Sequence, residues 1–465
     1  MTAPDQRLPR GTRRLAATAV AGLAIALAAG VAMVRPAIAP DPAPGPSPAV
    51  SPGAPHGSGS QLGGPLGVEV IPARDPQPWS AVDWREVPRA FGAAPDPALD
   101  RVDGIVAGGP GLIGWGRMQQ QGRNQFNDVG AIYLSADGIG WTAVPIVDGV
   151  SRRDVSEFHL VADGPAGILV AGGVCCTDEE RPALWRSAAG APWQRLPWPD
   201  AFGQRPEILS LAANASGYVA GGTSASSAAL WSSPDGVAWT RVDDPAAGLD
   251  EGGISDIERT ADGLVAVGWQ DVDGTSDGAV WTSTTGAEWR RLPVALLEGK
   301  LETRLDRIVA WAGGLFVLGL EGTHEERLAC ERAGRVASAA RPEHAPAPAV
   351  DFSCGWGVET HWLTSDGREW QRDIPIGAQR GAIIPDGELI EFRLVAAGGP
   401  GLVVLGEGSK VGSAGIYVSA DGTRWQAVGP AGVFPSGSLP NGFAVGGRTI
   451  ATVVDGPRAW IGSVR

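Results

Sequence analysis

Six times along this chain an aromatic residue is followed two places later by Ser or Thr, then by a turn containing Gly, and then by Trp. The copies run from Tyr133 to Trp141, Trp185 to Trp193, Trp231 to Trp239, Trp281 to Trp289, Trp362 to Trp370 and Tyr417 to Trp425. Self-similarity at a spacing of roughly 50 residues marks a supersecondary unit that cannot bury its apolar face alone, so neighbouring units must stack. The architecture is therefore constrained before any chemistry is.

The unit from Glu207 to Val242 shows the grammar. An apolar run, Ile208 to Ala213, meets a turn at Asn214 to Gly217 and a second run, Tyr218 to Gly222. After a polar loop come Ala229 to Ser233, a turn at Pro234-Asp235-Gly236, and a last strand from Trp239 to Val242. Four short antiparallel strands joined by tight turns make one propeller blade. The inner pair recurs seven times, centred on Ile105 to Gly116, Leu160 to Gly173, Leu211 to Gly222, Ile257 to Gly268, Ile308 to Gly319, Leu394 to Gly406 and Phe443 to Val454. The seventh copy lacks its outermost strand, and that strand is found at the other end of the domain. Asp83 to Val87 matches the Trp-x-x-Val close of the other repeats, while Ala459 to Ser463 matches their aromatic-x-Ser strand. The sequence thus predicts an all-β, seven-bladed β-propeller over residues 79–465, with chain start and chain end sharing the closing blade. Such closure removes open sheet edges.

The turns resemble the Asp-box, or bacterial neuraminidase, repeat of sialidase-like propellers: Ser135 to Gly138 with Trp141, Ser233 to Gly236 with Trp239, Thr364 to Gly367 with Trp370, and Ser419 to Gly422 with Trp425. The resemblance implies a structural role for Asp137, Asp235, Asp366 and Asp421. Physics agrees, because Asp accepts turn N–H bonds, Gly takes positive φ and Trp packs between sheets. Two copies, Ala188-Ala189-Gly190 and Thr284-Thr285-Gly286, lack the Asp. Sialidases would also bring a tyrosine nucleophile, yet Tyr133, Tyr218 and Tyr417 all fall at packing positions of strands, and sialidase activity is not expected.

The N-terminus reads as a targeting element. Residues 1–14 are a basic, cytoplasmic tail, and Leu15 to Val34 is an uncharged stretch with Arg7, Arg10, Arg13 and Arg14 before it. That pattern orients the rest of the chain to the extracytoplasmic side. The segment is read as a transmembrane anchor, with a secretory signal cleaved near Ala39, after Ala37-Ile38-Ala39, as the alternative. Residues 35–78 are rich in Pro and Gly and read as a disordered linker. The first 35 residues hold five Arg against one Asp, so the exported part is more acidic than the chain's net −14. Nucleic acid is not an expected partner for so acidic a body.

Four cysteines in an exported chain read as disulfides. Cys330 and Cys354 bracket an insertion over 321–356, where a closed loop is worth on the order of 3 kcal/mol. Cys175 and Cys176 are adjacent, leaving a vicinal bond or crossed pairing open. The insertion is predicted helical from Glu325 to Ala340 and Pro-rich beyond it.

Candidate chemistry is sparse. Gly109 to Gly114 matches G-x-G-x-x-G by letter but sits in a strand-to-strand turn with no helix to follow. Asp271, Asp273 and Asp277 stand at alternate positions, as in a calcium loop, although the twelfth place is Thr282. Calcium is the one cofactor considered. The five histidines show no zinc spacing. Near the entrances of the innermost strands lie Asp103, Glu157, Asp256, Asp306 and Glu391, with Arg307 and Arg393; they make either a solvated rim or a ligand site. The loop Arg117 to Asp128 gathers Gln119, Gln120 and Asn124 around Phe126, a composition suited to hydrogen-bonding a sugar or peptide. The reading is a monomeric, non-catalytic module that binds a protein or glycan on its loop-bearing face. A glycoside hydrolase or lyase and an assembly factor for membrane proteins are the alternatives.

Overall fold

Short apolar runs separated by Gly-bearing turns form antiparallel meanders. In the fourth blade Gly252–Thr260, Gly263–Val272, Thr275–Ser283 and Arg290–Leu292 pair in chain order. The computed structural model describes residues 82–87, 101–119, 128–145, 155–175, 181–188, 193–203, 206–299, 301–311, 313–339, 357–373, 382–383, 389–398, 401–408, 414–428, 442–446, 449–453 and 459–464. They build seven sheets, all antiparallel. The inner strands of blades 1 to 6 are Arg101–Gly108, Val155–Gly164, Pro206–Asn214, Gly252–Thr260, Glu302–Trp311 and Leu389–Gly398. Each lies against the inner strand of the next blade, and that of blade 7, Gly442–Gly446, returns to the first. The chain is a closed, seven-bladed all-β propeller.

Blade 7 is shared between chain ends as expected. Val82–Val87 adds to Ala459–Val464 in continuous register, from Val82 opposite Val464 to Val87 opposite Ala459. Blade 6 departs from the repeat, because Ala382–Ile383 pairs with Leu389 and Ile390 as a fifth strand. A two-residue strand has no periodicity for a sequence reading to detect.

Radial sheets bury both faces against their neighbours, so the core is divided rather than central. The buried apolar residues described fall into seven clusters, each drawn from two adjacent blades. The aromatic of each repeated phrase sits in these interfaces: Tyr133, Trp185, Trp231, Trp281 and Trp362 have no exposed surface and Tyr417 is buried. Tyr218 donates from its hydroxyl to the Gly167 carbonyl of blade 2 at 2.5 Å. Burial pushes that hydroxyl up to about 12, so it remains a donor. None of the three tyrosines is placed as a nucleophile.

The turns behave as their chemistry dictates. In blade 3, Asp235 Oδ1 accepts from Val237 N at 2.8 Å and Ala238 N at 2.9 Å, Ser233 Oγ accepts from Gly236 N at 2.8 Å, and Trp239 Nε1 donates to Gly236 O at 3.0 Å. Gly236 has φ 76°, a left-handed value that favours glycine. Backbone N–H groups hold the Asp137, Asp235 and Asp366 carboxyls below the ordinary range. Where the Asp is lost, Thr285 Oγ1 accepts from Ala287 N at 3.3 Å instead, and Asn214 of blade 3 donates to Thr285 O at 3.1 Å.

Within the insertion, the helix His324–Ala339 agrees with the predicted span to one residue. It opens on a capping box, with Thr323 N donating to Glu326 Oε2 at 2.8 Å and Glu326 N donating to Thr323 Oγ1 at 3.2 Å. Cys330 on this helix is disulfide-bonded. Residues 1–81, hence the basic tail, the apolar segment and the whole linker with Ala39, lie outside the described residues, as do Gln120, Asn124, Phe126, Cys176 and Cys354. No helix among the described residues is long and apolar enough to cross a membrane.

Candidate functional site

The strand registers define two ends of the ring. In blade 4, Gly252 pairs with Gln270 and Val272 with Thr275 at one end, and Thr260 pairs with Gly263 at the other, where Leu264 faces Ser283. Inner-strand entrances therefore share a face with the hairpins that join second and third strands, and the Ser-x-Asp-Gly turns occupy the opposite face. The insertion helix, which joins the second and third strands of blade 5, belongs to the former.

Six inner strands carry a register shift at the same place. The breaks fall between Val102 and Gly104, Phe158 and Leu160, Ile208 and Ser210, Ile254 and Asp256, Leu305 and Arg307, and Phe392 and Leu394. A bulge adds a residue and re-aims its side chain. The added residues are Asp103, His159, Leu209, Ser255, Asp306 and Arg393, so three sequence candidates occupy equivalent positions in blades 1, 5 and 6. Asp103, His159, Leu209 and Asp306 are half-buried, in strands whose neighbouring residues are mostly buried. Gln119, Glu157 and Glu391 are placed by register opposite Asp128, Gly173 and Glu407.

Apart from the two residues of blade 6 that Ala382–Ile383 covers, an inner strand has one edge with no partner strand, and its N–H groups there must be satisfied by other means. Side chains of the preceding blade supply them. Asp256 Oδ2 accepts from Ile308 N at 3.1 Å across the blade 4 to blade 5 interface, and Oδ1 accepts from Ile257 N at 2.9 Å and from Ser210 Oγ of blade 3 at 3.2 Å. Ser210, Asp256 and Arg307 each follow a bulge in consecutive blades. Burial pushes the Asp256 carboxyl up, while the Arg307 charge and these hydrogen bonds pull it down. Glu258, two residues further along the same strand, accepts from the Ala310 backbone. Burial, aided by the Asp256 charge, pushes it well above the ordinary carboxylate range, so it holds its proton. In blade 5, Glu359 Oε1 accepts from Phe392 N of blade 6 at 3.2 Å and lies 3.2 Å from His361 Nε2. His361 is stacked on Phe392 at 4.7 Å. These acids are inter-blade fastenings.

Nearer the entrances the side chains are more open. The Trp269 ring lies flat on Gly253, where a Cβ would come within 2.3 Å of it. Arg304 stacks over the same ring at 3.6 Å and pairs with Asp306 at 3.4 Å. Glu207 of blade 3 and Asp271 of blade 4 add negative charge beside that guanidinium. Side-chain exposures of 16% for Arg304 and 30% for Asp306 leave both partly in contact with solvent. Burial pushes Asp306 up against the pull of Arg304 and Arg307. One more carboxylate, Glu302, is buried and holds His324 and Arg327 of the insertion helix.

The segment considered for calcium is a continuous hairpin. Asp271 pairs with Ser276 and Gln270 with Asp277, around a tight turn in which Asp273 and Gly274 have φ 52° and 83°. Both positive values suit a two-residue Asp-Gly turn. Burial raises the Asp271 and Asp277 carboxyls, with Glu302 among the charges that add to it. Among the described residues no group of three His, Cys, Asp or Glu could hold a metal ion.

Sequence reasoning flagged Asp306 and Arg307 but missed Glu207, Trp269, Glu302, Arg304, Glu359 and His361. A signal existed: the strand that opens Glu302-Thr303-Arg304-Leu305-Asp306-Arg307 has more charge in its first six residues than any other inner strand.

No family model matches the chain, and no curated protein matches it. Among solved structures it is similar to YCF48 bound to a D1 peptide, at 12% identity over 82% of this chain and 97% of that one, with a TM-score of 0.43. It is also similar to a GH74 xyloglucanase from Xanthomonas campestris, at 16% identity and a TM-score of 0.46 over 80% of this chain, which spans about half (52%) of the xyloglucanase. A third is virginiamycin B lyase from Staphylococcus aureus, at 10% identity over 83% of this chain and 100% of that one, with a TM-score of 0.42. At these identities the likeness concerns the β-propeller fold alone.

Proposed function

We propose that the protein is a non-catalytic, extracytoplasmic binding module that engages a protein or glycan through the face bearing its inner-strand entrances. Its N-terminal segment holds it at the membrane or is cleaved near Ala39. The observation that carries this reading is the commitment of the central carboxyls described: Asp256, Glu258 and Glu359 each accept a backbone N–H of a neighbouring blade. A glycosidase needs two carboxyls flanking a substrate, one of them free to exchange protons with it. Carboxyls that fasten blades do not offer this, whereas the partly buried Arg304, Trp269 and Asp306 present donors, a cation and an acceptor together, contributed by two blades.

The test is a glycan-array and peptide-array screen of the full chain beside a panel of test glycosides. A ligand lost on Arg304→Gln at unchanged melting temperature is the expected result. Turnover of a glycoside that disappears on Glu157→Gln or Glu391→Gln overturns the reading.

A further inference from the structure

We propose that the outer edge of Val82–Val87 is a homodimer interface, at which two copies of this chain pair this strand antiparallel about a two-fold axis through Trp84. The interface lies on blade 7 and uses none of the residues assigned to the binding face.

Blade 7 has an outermost strand unlike the others. In blades 1 to 6 that strand is Thr142–Pro145, Gln194–Leu196, Thr240–Arg241, Arg290–Leu292, Gln371–Asp373 or Gln426–Val428, two to four residues in each case. Very short edge strands, bulges, prolines and charge are the means by which sheets avoid pairing with another chain. Val82–Val87 has six residues and no proline, and it pairs with Ala459–Val464 without a register break. Among the described residues no strand covers its other edge, where half of its backbone N–H and C=O groups point away from the sheet.

Only charge is left to blunt that edge, and the charge is arranged to accept a copy of itself. A two-fold axis that joins two antiparallel edges stands perpendicular to the sheet, so it keeps each residue on its own face and centres the pairing on one residue. Asp83, Arg85 and Val87 share one face of the strand, and Val82, Trp84 and Glu86 the other. Centred on Asp83, Arg85 or Glu86, the pairing would set a charge directly against its own copy. Centred on Trp84, it sets Asp83 opposite Arg85 of the second copy and Arg85 opposite Asp83, with Cβ atoms about 5 Å apart. On the other face Trp84 meets its own copy, and Glu86 lies opposite Val82. Asp83, Arg85 and Glu86 are exposed, while Trp84 is half-buried and packs against the cluster between blades 6 and 7. Each copy offers one such edge, so the pair closes and does not extend into a fibre.

Sedimentation of the full chain in detergent, over a dilution series, should show a monomer–dimer equilibrium. Asp83→Arg makes both cross-strand pairs positive and Arg85→Asp makes both negative, so each should weaken the dimer about tenfold through two pairs turned from attraction to repulsion. Both positions are exposed, and the melting temperature should not change. An equimolar mixture of the two single variants restores opposite charges across the axis, as does the double variant Asp83→Arg/Arg85→Asp, and each should recover the dimer. A chain that stays monomeric overturns the proposal and leaves the edge to a strand of another protein. A dimer that the single variants do not weaken, or that neither the mixture nor the double variant recovers, overturns it as well.

Discussion

Replacing Glu258 with Gln should stabilise the protein at neutral pH and do nothing at acid pH. Glu258 is 4% exposed, bonded to the Ala310 backbone and set beside the Asp256 charge, so the native state keeps it protonated well above its ordinary value of 4.5. The unfolded chain releases that proton near 4.5. From there up to the native value the folded form binds more protons, and stability falls as pH rises. At pH 7 the cost cannot exceed the span from 4.5 to 7, however high the native value lies. At 1.36 kcal/mol per pH unit it has a ceiling of about 3 kcal/mol. Gln keeps an oxygen for Ala310 N–H, carries no charge to protonate, and turns an amide donor toward Asp256. For a ring of about 380 residues, about 3 kcal/mol corresponds to a rise of roughly 4 °C in Tm. Thermal and urea denaturation of both proteins between pH 4 and pH 8 would show the curves converging at the acid end. An equal gain at pH 4 and pH 7, or a loss at pH 7, would refute the reasoning.

Asp235→Ala should cost about 1–2 kcal/mol at pH 7, discounted for its exposure, because two turn N–H groups lose their acceptor. Since that carboxyl is held below 3.8, its contribution is present above that value and lost as pH falls through the native one, so the penalty should shrink in melts at pH 3. The hairpin between the second and third strands of blade 3 turns through Ala225 and Ser226 at φ 52° and 74°. Ala225→Asn with Ser226→Gly should raise stability by about 1 kcal/mol in urea denaturation, and no change would mean those angles cost nothing. Gly268→Ala should be poorly tolerated, because its Cβ would come within 1.9 Å of the Gly253 carbonyl oxygen, a backbone atom; a soluble variant with wild-type Tm would contradict the close approach.

The ring was legible because its signals are local and repeated. Ser233, Asp235, Gly236 and Trp239 satisfy one another within seven residues, so their pattern survives in the sequence as a phrase. The seventh blade was legible because Trp84 and Trp460 keep their places in that phrase although the chain is cut between them. The site was less legible, for the opposite reason. Asp256 derives its role from Ile308, and Trp269 from Arg304, partners some 50 and 35 residues away that no period announces. Bulges hide for the same reason: one extra residue in six strands leaves the spacing of repeats intact, yet it determines that Asp103 and Asp306 share a level. The Asp271 to Asp277 segment was ambiguous because alternate acids suit a calcium loop and a hairpin strand alike; in the structure Asp273 and Gly274 take the positive φ of a tight hairpin turn.

The shared closing blade also sets an order of events. Val82–Val87 is made before every other described strand, and its partner, Ala459–Val464, is made after all of them. Until Ala459–Val464 has left the ribosome, Val82–Val87 has no strand to pair with. Bringing ends that far apart together is a slow, entropy-limited step. Synthesis of Ala459–Val464 is thus the closing event, and a product cut short before Ala459 would lack the strand that joins Val82–Val87 to the rest of blade 7.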